Sequence, residues 1–251
     1  MTILNRSSGS LATGVRISDS FSNISQFDNG VNLNNLKISF TGQSTTKIGV
    51  DIDADVSGSI SIDSTNIITP ASSTGTAIGI NSNGILELNI NNSLIEISRA
   101  TEESYGIRAF SQSQTTLRVT NTKINISAFS NTNTGISLDD VEGTNVIIDN
   151  NKINIRNGET NIGLDLFVVS TTGGRILLND STIDTELSFR SLNNIGLNAR
   201  SFNGAGTPTT EIFVNSSSIT GSIPISESLK CFSSNNLVTN LEISCQPLTV
   251  N

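Results

Sequence analysis

The chain is 251 residues long, with a formal net charge of −8 and a pI near 4.5. It has no His and only two Cys, which excludes Ser-His-Asp and Cys-His catalysis, His-ligated metals and a thiolate zinc site. The acidic balance, with no Lys/Arg cluster to offset it, argues against a nucleic-acid partner, and no apolar run approaches the roughly 18 residues of a membrane span.

Asn, Ser and Thr make up roughly two residues in five, and Ile leads the apolar residues. β-Branched residues favour strands, and Asn, Ser and Gly favour the turns between them. The N-terminal MTILNRSSGS has neither the charged nor the apolar region of a signal peptide.

A repeat runs through the chain. Val31-Asn32-Leu33 leads to a turn at Asn35 and then Ile38. Ile60-Ser61-Ile62 leads to Ser64 and Ile67, and Leu88-Asn89-Ile90 to Asn92 and Ile95. Leu117-Arg118-Val119 leads to Asn121, Ile124 and Ile126. Val146-Ile147-Ile148 leads to Asn150 and Ile153, Ile176-Leu177-Leu178 to Asp180 and Ile183, and Ile212-Phe213-Val214 to Ser216 and Ile219. Leu241-Glu242-Ile243, Cys245 and Leu248 complete the series. The markers 33, 62, 90, 119, 148, 178, 214 and 243 are spaced by 29, 28, 29, 29, 30, 36 and 29 residues. A first alternating strand recurs in step, led by Gly14, Gly49, Gly79, Gly106, Gly135, Gly163, Gly196 and Lys230.

A unit of this length with three alternating strands buries its apolar face only by stacking on its neighbours. The period-2 alternation places Ile107, Ala109, Leu117, Val119, Ile124 and Ile126 inside. The fold expected is all-β: a single-domain, single-stranded parallel β-helix over residues 1–251, of about eight coils of three short strands. Rungs about 4.8 Å apart make this a rod roughly 40 Å long. The turn residues, from Asn35 to Ser216 and Cys245, are expected to adopt the left-handed conformation and to form a ladder. Ile3 falls in a third strand, and the chain finishes on the third-strand positions Leu248 and Val250. This suggests a segment of a longer protein or an oligomer, end-to-end or side-by-side.

In its G-Φ-x-Φ strand and later Φ-x-Φ-x-N-x-x-Φ strand and turn, the chain resembles the right-handed parallel β-helix proteins of the pectate-lyase-like superfamily. The resemblance covers nearly the whole chain. It implies a right-handed helix whose first-strand face often carries the active site. Lyases, hydrolases, adhesins and phage spikes share the fold, so it does not select a function. The polygalacturonase relatives carry a His that this chain lacks, and Asp139-Asp140 stands without that family's other motifs.

Two outward columns follow the first-strand glycines. The first runs Arg16, Asp51, Asn81, Arg108, Ser137, Asp165, Asn198, Phe232, and the second Ser18, Asp53, Asn83, Phe110, Asp139, Phe167, Arg200, Ser234. Arg108, Phe110, Phe167 and Arg200 are candidate ligand-binding residues, with rings for stacking and charges for hydroxyls or uronates. Asp139 and Asp165 are candidate catalytic carboxylates. Their backbones are expected roughly 8 Å apart, within the about 6.5–9.5 Å separation of an inverting glycosidase.

Asp51, Asp53 and Asp55 open like a calcium loop, but Val56 and Ile62 stand where that loop needs Gly and Glu, so three solvent-facing acids are expected and no cofactor, with calcium held by these three residues as the alternative. Cys231, on an inward first-strand position, and Cys245, at the turn, are either a disulfide across the last coil or two buried thiols. The links between first and second strands are enlarged at Asp19 to Gly30, Val168 to Gly174 and Ser201 to Thr210. The preferred function is a non-catalytic secreted or surface β-helix, an adhesin-like passenger or a structural stalk, that binds polysaccharide or a host or partner protein. The alternative is a polysaccharide-active hydrolase or lyase.

Overall fold

The structure is a computed structural model and describes residues 1–6, 9–18, 30–53, 58–69, 75–83, 87–110, 116–139, 145–168, 174–185, 191–201, 210–225, 229–234, 237–238 and 246–247. These residues form strands and turns arranged as three parallel sheets of seven, nine and nine strands. Within each sheet every strand pairs with the equivalent strand of the next coil, so the fold is a parallel β-solenoid. One coil shows the plan: Glu103–Phe110 in the first-strand sheet, Thr116–Thr120 in the second and Lys123–Ile126 in the third.

The registers follow the repeat. Val119 pairs with Ile90 on one side and Ile148 on the other, and all three are fully buried. Arg118, one residue away, points outward and is exposed. A single core of mostly Ile, Leu and Val runs along the solenoid.

The turn after the second strand has two layers. Asn35, Ser64, Asn92, Asn121, Asn150, Asp180 and Ser216 all lie at positive φ, from 45° to 53°, as expected. Their side chains do not make the continuous ladder. Asn150 reaches Asn121 at 2.6 Å, but Asn121 and Asn92 turn instead to Asn91 and Asp63.

The unbroken ladder is built by the next residue, which points inward: Thr65, Ser93, Thr122, Asn151, Ser181 and Ser217, none more than 4% exposed. The backbone N–H of each donates to the side-chain oxygen of the next, from Thr65 to Ser93 Oγ at 3.2 Å through Thr122 to Asn151 Oδ1 at 2.8 Å to Ser181 to Ser217 Oγ at 3.2 Å. Each side chain also donates to the carbonyl two residues back, as Thr122 does to Thr120 at 2.9 Å. Buried turn amides need such partners, and small hydroxyl or amide side chains supply them without filling the core.

The first strand bends at its glycine. Tyr105 pairs with Thr134 and Ile107 with Ile136, while the ladder skips Gly106 and Gly135. A Cβ on Gly106 would lie 2.5 Å from both the Gly135 carbonyl oxygen and Ile124 Cγ2. The close approach of first and third strands therefore requires glycine. Before the bend a second inward polar column forms. Asn133 holds the Ala128 and Arg156 carbonyls at 2.8 and 2.9 Å, and Asn161 holds Asn194 at 2.9 Å. Lys47 occupies the same column, is fully buried, and burial pushes its pKa below the ordinary lysine value.

The C-terminal coils depart from the expected repeat. Lys230–Ser234 lies in the second-strand sheet against Glu211–Asn215, and not in the first-strand sheet. Phe232 and Ser234 therefore leave the first-strand columns. Cys231 is inward, as expected, but on the second-strand sheet beside Ile212, and it is 5% exposed.

The first-strand place above Asn193–Ser201 is taken by Ser222 and Ile225, through bridges to Ile195 and Ala199. Gly221, at φ 99°, makes the early turn. This coil is short: Val214 pairs with Ser233, nineteen residues on. The third strand that follows is Leu237–Val238, and Gln246–Pro247 pairs beyond Lys230–Ser234. The marker at Leu241 to Ile243, with Cys245, Leu248 and Val250, lies outside the described residues.

Candidate functional site

The outward columns of the first-strand sheet assemble over seven coils. Arg16, Asp51, Asn81, Arg108, Ser137, Asp165 and Asn198 are successive partners in register. Phe110 pairs with Asp139, and Phe167 with Arg200. Between the two end strands of this sheet, each strand is paired on both sides, which holds its residues in register.

Polar contacts along the face are specific. Arg200 Nη2 donates to both Asp165 oxygens at 3.0 and 2.9 Å, and Asn198 Nδ2 adds a third bond to Asp165 Oδ1 at 2.8 Å. The Arg200 guanidinium also lies over the Phe167 ring at 5.4 Å. At the other end Arg16 holds Asp53 at 3.0 Å, and Asn81 Nδ2 holds Asp51 Oδ1 at 2.8 Å. Asp51 is only 8% exposed and so does not face solvent as expected, while Asp53 stays partly exposed in its pair with Arg16. Asp55 lies outside the described residues, and these hold no group of three or more metal-ligating side chains.

Asp139 is half-buried and lies one rung before Asp165 and two residues further along its strand, since Ser137 is the Asp165 partner. Asp140 lies outside the described residues, as do most residues of the three enlarged links. Cys231 is disulfide-bonded, while Cys245 is outside the described residues.

Arg108 is the centre of the face. Its guanidinium carbon lies 5.1 Å from the Tyr105 ring centroid and 4.7 Å from that of Phe110. Its Nε is buried and has no hydrogen-bond partner. Tyr105 was not among the sequence candidates. Strict alternation from Ile107 through Gly106 sends it inward, but the bend at the glycine shifts the count by one and brings Tyr105 beside Arg108. Desolvation, reinforced by the negative charge of Glu103 and its hydrogen bond, pushes the phenol up to about 12, with Asp139 adding to the rise and Arg108 opposing it.

No family model, no curated protein and no solved structure matches the chain. The structure shows a parallel β-solenoid, and none of these comparisons assigns it to a superfamily.

Proposed function

We propose that this chain is a non-catalytic β-solenoid of a secreted or surface protein, which presents its first-strand face, from Arg108 to Arg200, to a partner. The likeness to right-handed pectate-lyase-like helices, and their handedness, belong to this proposal. The observation that carries it is the state of Asp165. Three hydrogen bonds from Arg200 and Asn198 occupy its carboxylate. A glycosidase of the inverting kind needs one carboxyl free to accept a proton and another free to give one. With Asp165 locked, the Asp139–Asp165 pair lacks the second free carboxyl.

The aromatic rings point the same way. A saccharide platform needs open ring faces, and arginines lie over Tyr105, Phe110 and Phe167. A protein partner fits better, because arginine and tyrosine are enriched where proteins bind tightly. The test is a panel of neutral and acidic polysaccharides assayed for new reducing ends. No product is expected from any of them. Product that disappears in both Asp139→Asn and Asp165→Asn would establish the hydrolase instead.

A further inference from the structure

We infer that Arg108 is a receptor for a carboxylate on an acidic peptide segment of a partner protein. The inference rests on the reading of the first-strand face as a binding surface and names the chemistry at its centre. Three arginines stand in the outward columns. Arg16 and Arg200 each engage a carboxylate of this chain, at 3.0 and 2.9 Å. Arg108 makes no ion pair or hydrogen bond with any described residue; its contacts are the rings of Tyr105 and Phe110.

A guanidinium carries five N–H donors and no acceptor, and a buried donor without a partner is uncommon in a folded protein. Here Nε is buried without one, while the residue as a whole is partly exposed. The rings hold the guanidinium plane in place before anything binds, so little freedom is lost on binding. Two adjacent N–H groups on a fixed plane match the two oxygens of a carboxylate.

Nearby acids do not fill the site. Neither Glu103, whose charge acts on the Tyr105 phenol, nor Asp139, which has an interaction of its own, is ion-paired or hydrogen-bonded to Arg108. One face of each ring is covered by the same guanidinium, which leaves less ring for a sugar and favours a peptide carboxylate over an acidic saccharide.

The experiment uses the full chain, isotopically labelled, and follows the Arg108 Nε–H resonance. The probes are a short peptide with a central Glu, its Gln counterpart, an oligogalacturonate, and sodium chloride at matched ionic strength. The Glu peptide should move the resonance saturably, and the Gln peptide and chloride should not. Arg108→Lys keeps the charge and loses the fork, and should weaken Glu-peptide binding by about tenfold or more. Arg118→Gln, on the second-strand face, should leave it unchanged.

Absence of a saturable shift with the Glu peptide, or an equal shift in chloride, overturns the inference in the parent protein, independent of how any variant folds. Oligogalacturonate binding about tenfold tighter than the Glu peptide overturns the peptide assignment. Reducing-end release with the Arg108 response intact would sink the non-catalytic reading and leave the carboxylate receptor standing.

Discussion

Tyr105 is the only tyrosine and the chain has no tryptophan, so its ionisation can be followed alone by phenolate absorbance. Its pKa is raised to about 12 by desolvation and Glu103. Between the ordinary value of 10.0 and about 12 the unfolded chain ionises while the folded chain keeps its proton. The neutral phenol's contribution to stability is therefore complete below pH 10 and is lost as pH rises through about 12. Folded protein should titrate near 12 and urea-unfolded protein near 10. A folded midpoint near 10 would place Tyr105 in water. Thr122 supplies a second residue-scale test. Thr122→Val keeps the shape but strands the Ser93 amide, and should cost about 1–3 kcal/mol in urea unfolding. Asn121→Gly, at φ 48°, should cost little. The reverse order would restore the ladder to the Asn positions. The sequence marked the turn and its left-handed residue, because Asn and Ser recur there. It did not mark the inward hydroxyl beside it, because Thr, Ser and Asn share that place and their common trait is size and a polar atom, not identity.

The bent first strand is the element that makes the site. Its glycines were legible as the start of each repeat, but the reason for them was not. Adding a Cβ at Gly106 meets backbone oxygen on the next rung and a core isoleucine on the third strand. Backbone oxygen cannot turn aside as a side chain can, so Gly106→Ala should cost about 1–3 kcal/mol or more in urea unfolding. A cost below about 0.5 kcal/mol, the range of an ordinary surface change, would mean the strand is not bent there. The same bend explains the missed tyrosine. Period-2 counting is valid only on one side of it, so counting from Gly106 locates Arg108 and Phe110 after the bend and does not reach Tyr105, before it.

On the scale of the whole molecule, the solenoid is a stack in which each coil is supported by its neighbours. The first coil shows this by contrast. Ile3, Val15, Ile17, Val31 and Leu33 are only partly buried, whereas their partners in the second coil, Ile38, Val50, Ile52, Ile60 and Ile62, are at most 1% exposed. The regular spacing made seven coils legible, since isoleucine pairs recur with little change in register. The eighth broke the pattern because a nineteen-residue coil carries Ser222-Ile223-Pro224-Ile225 in place of a full first strand, and Pro224 has no N–H to give to a ladder. Chemistry was less legible than architecture: the pairing of Asp165 with Arg200 needed the register, and the lone Arg108 needed its neighbours. Stacking in this register is the claim on which every site rests, and Val119 tests it most directly. Val119 is fully buried between Ile90 and Ile148, with exposed Arg118 beside it. In urea unfolding, Val119→Asp should lose several kcal/mol, on the order of 3–5, by burying an unpaired charge, and Arg118→Asp about 0.5 kcal/mol or less. Equal losses from the two substitutions would contradict the register.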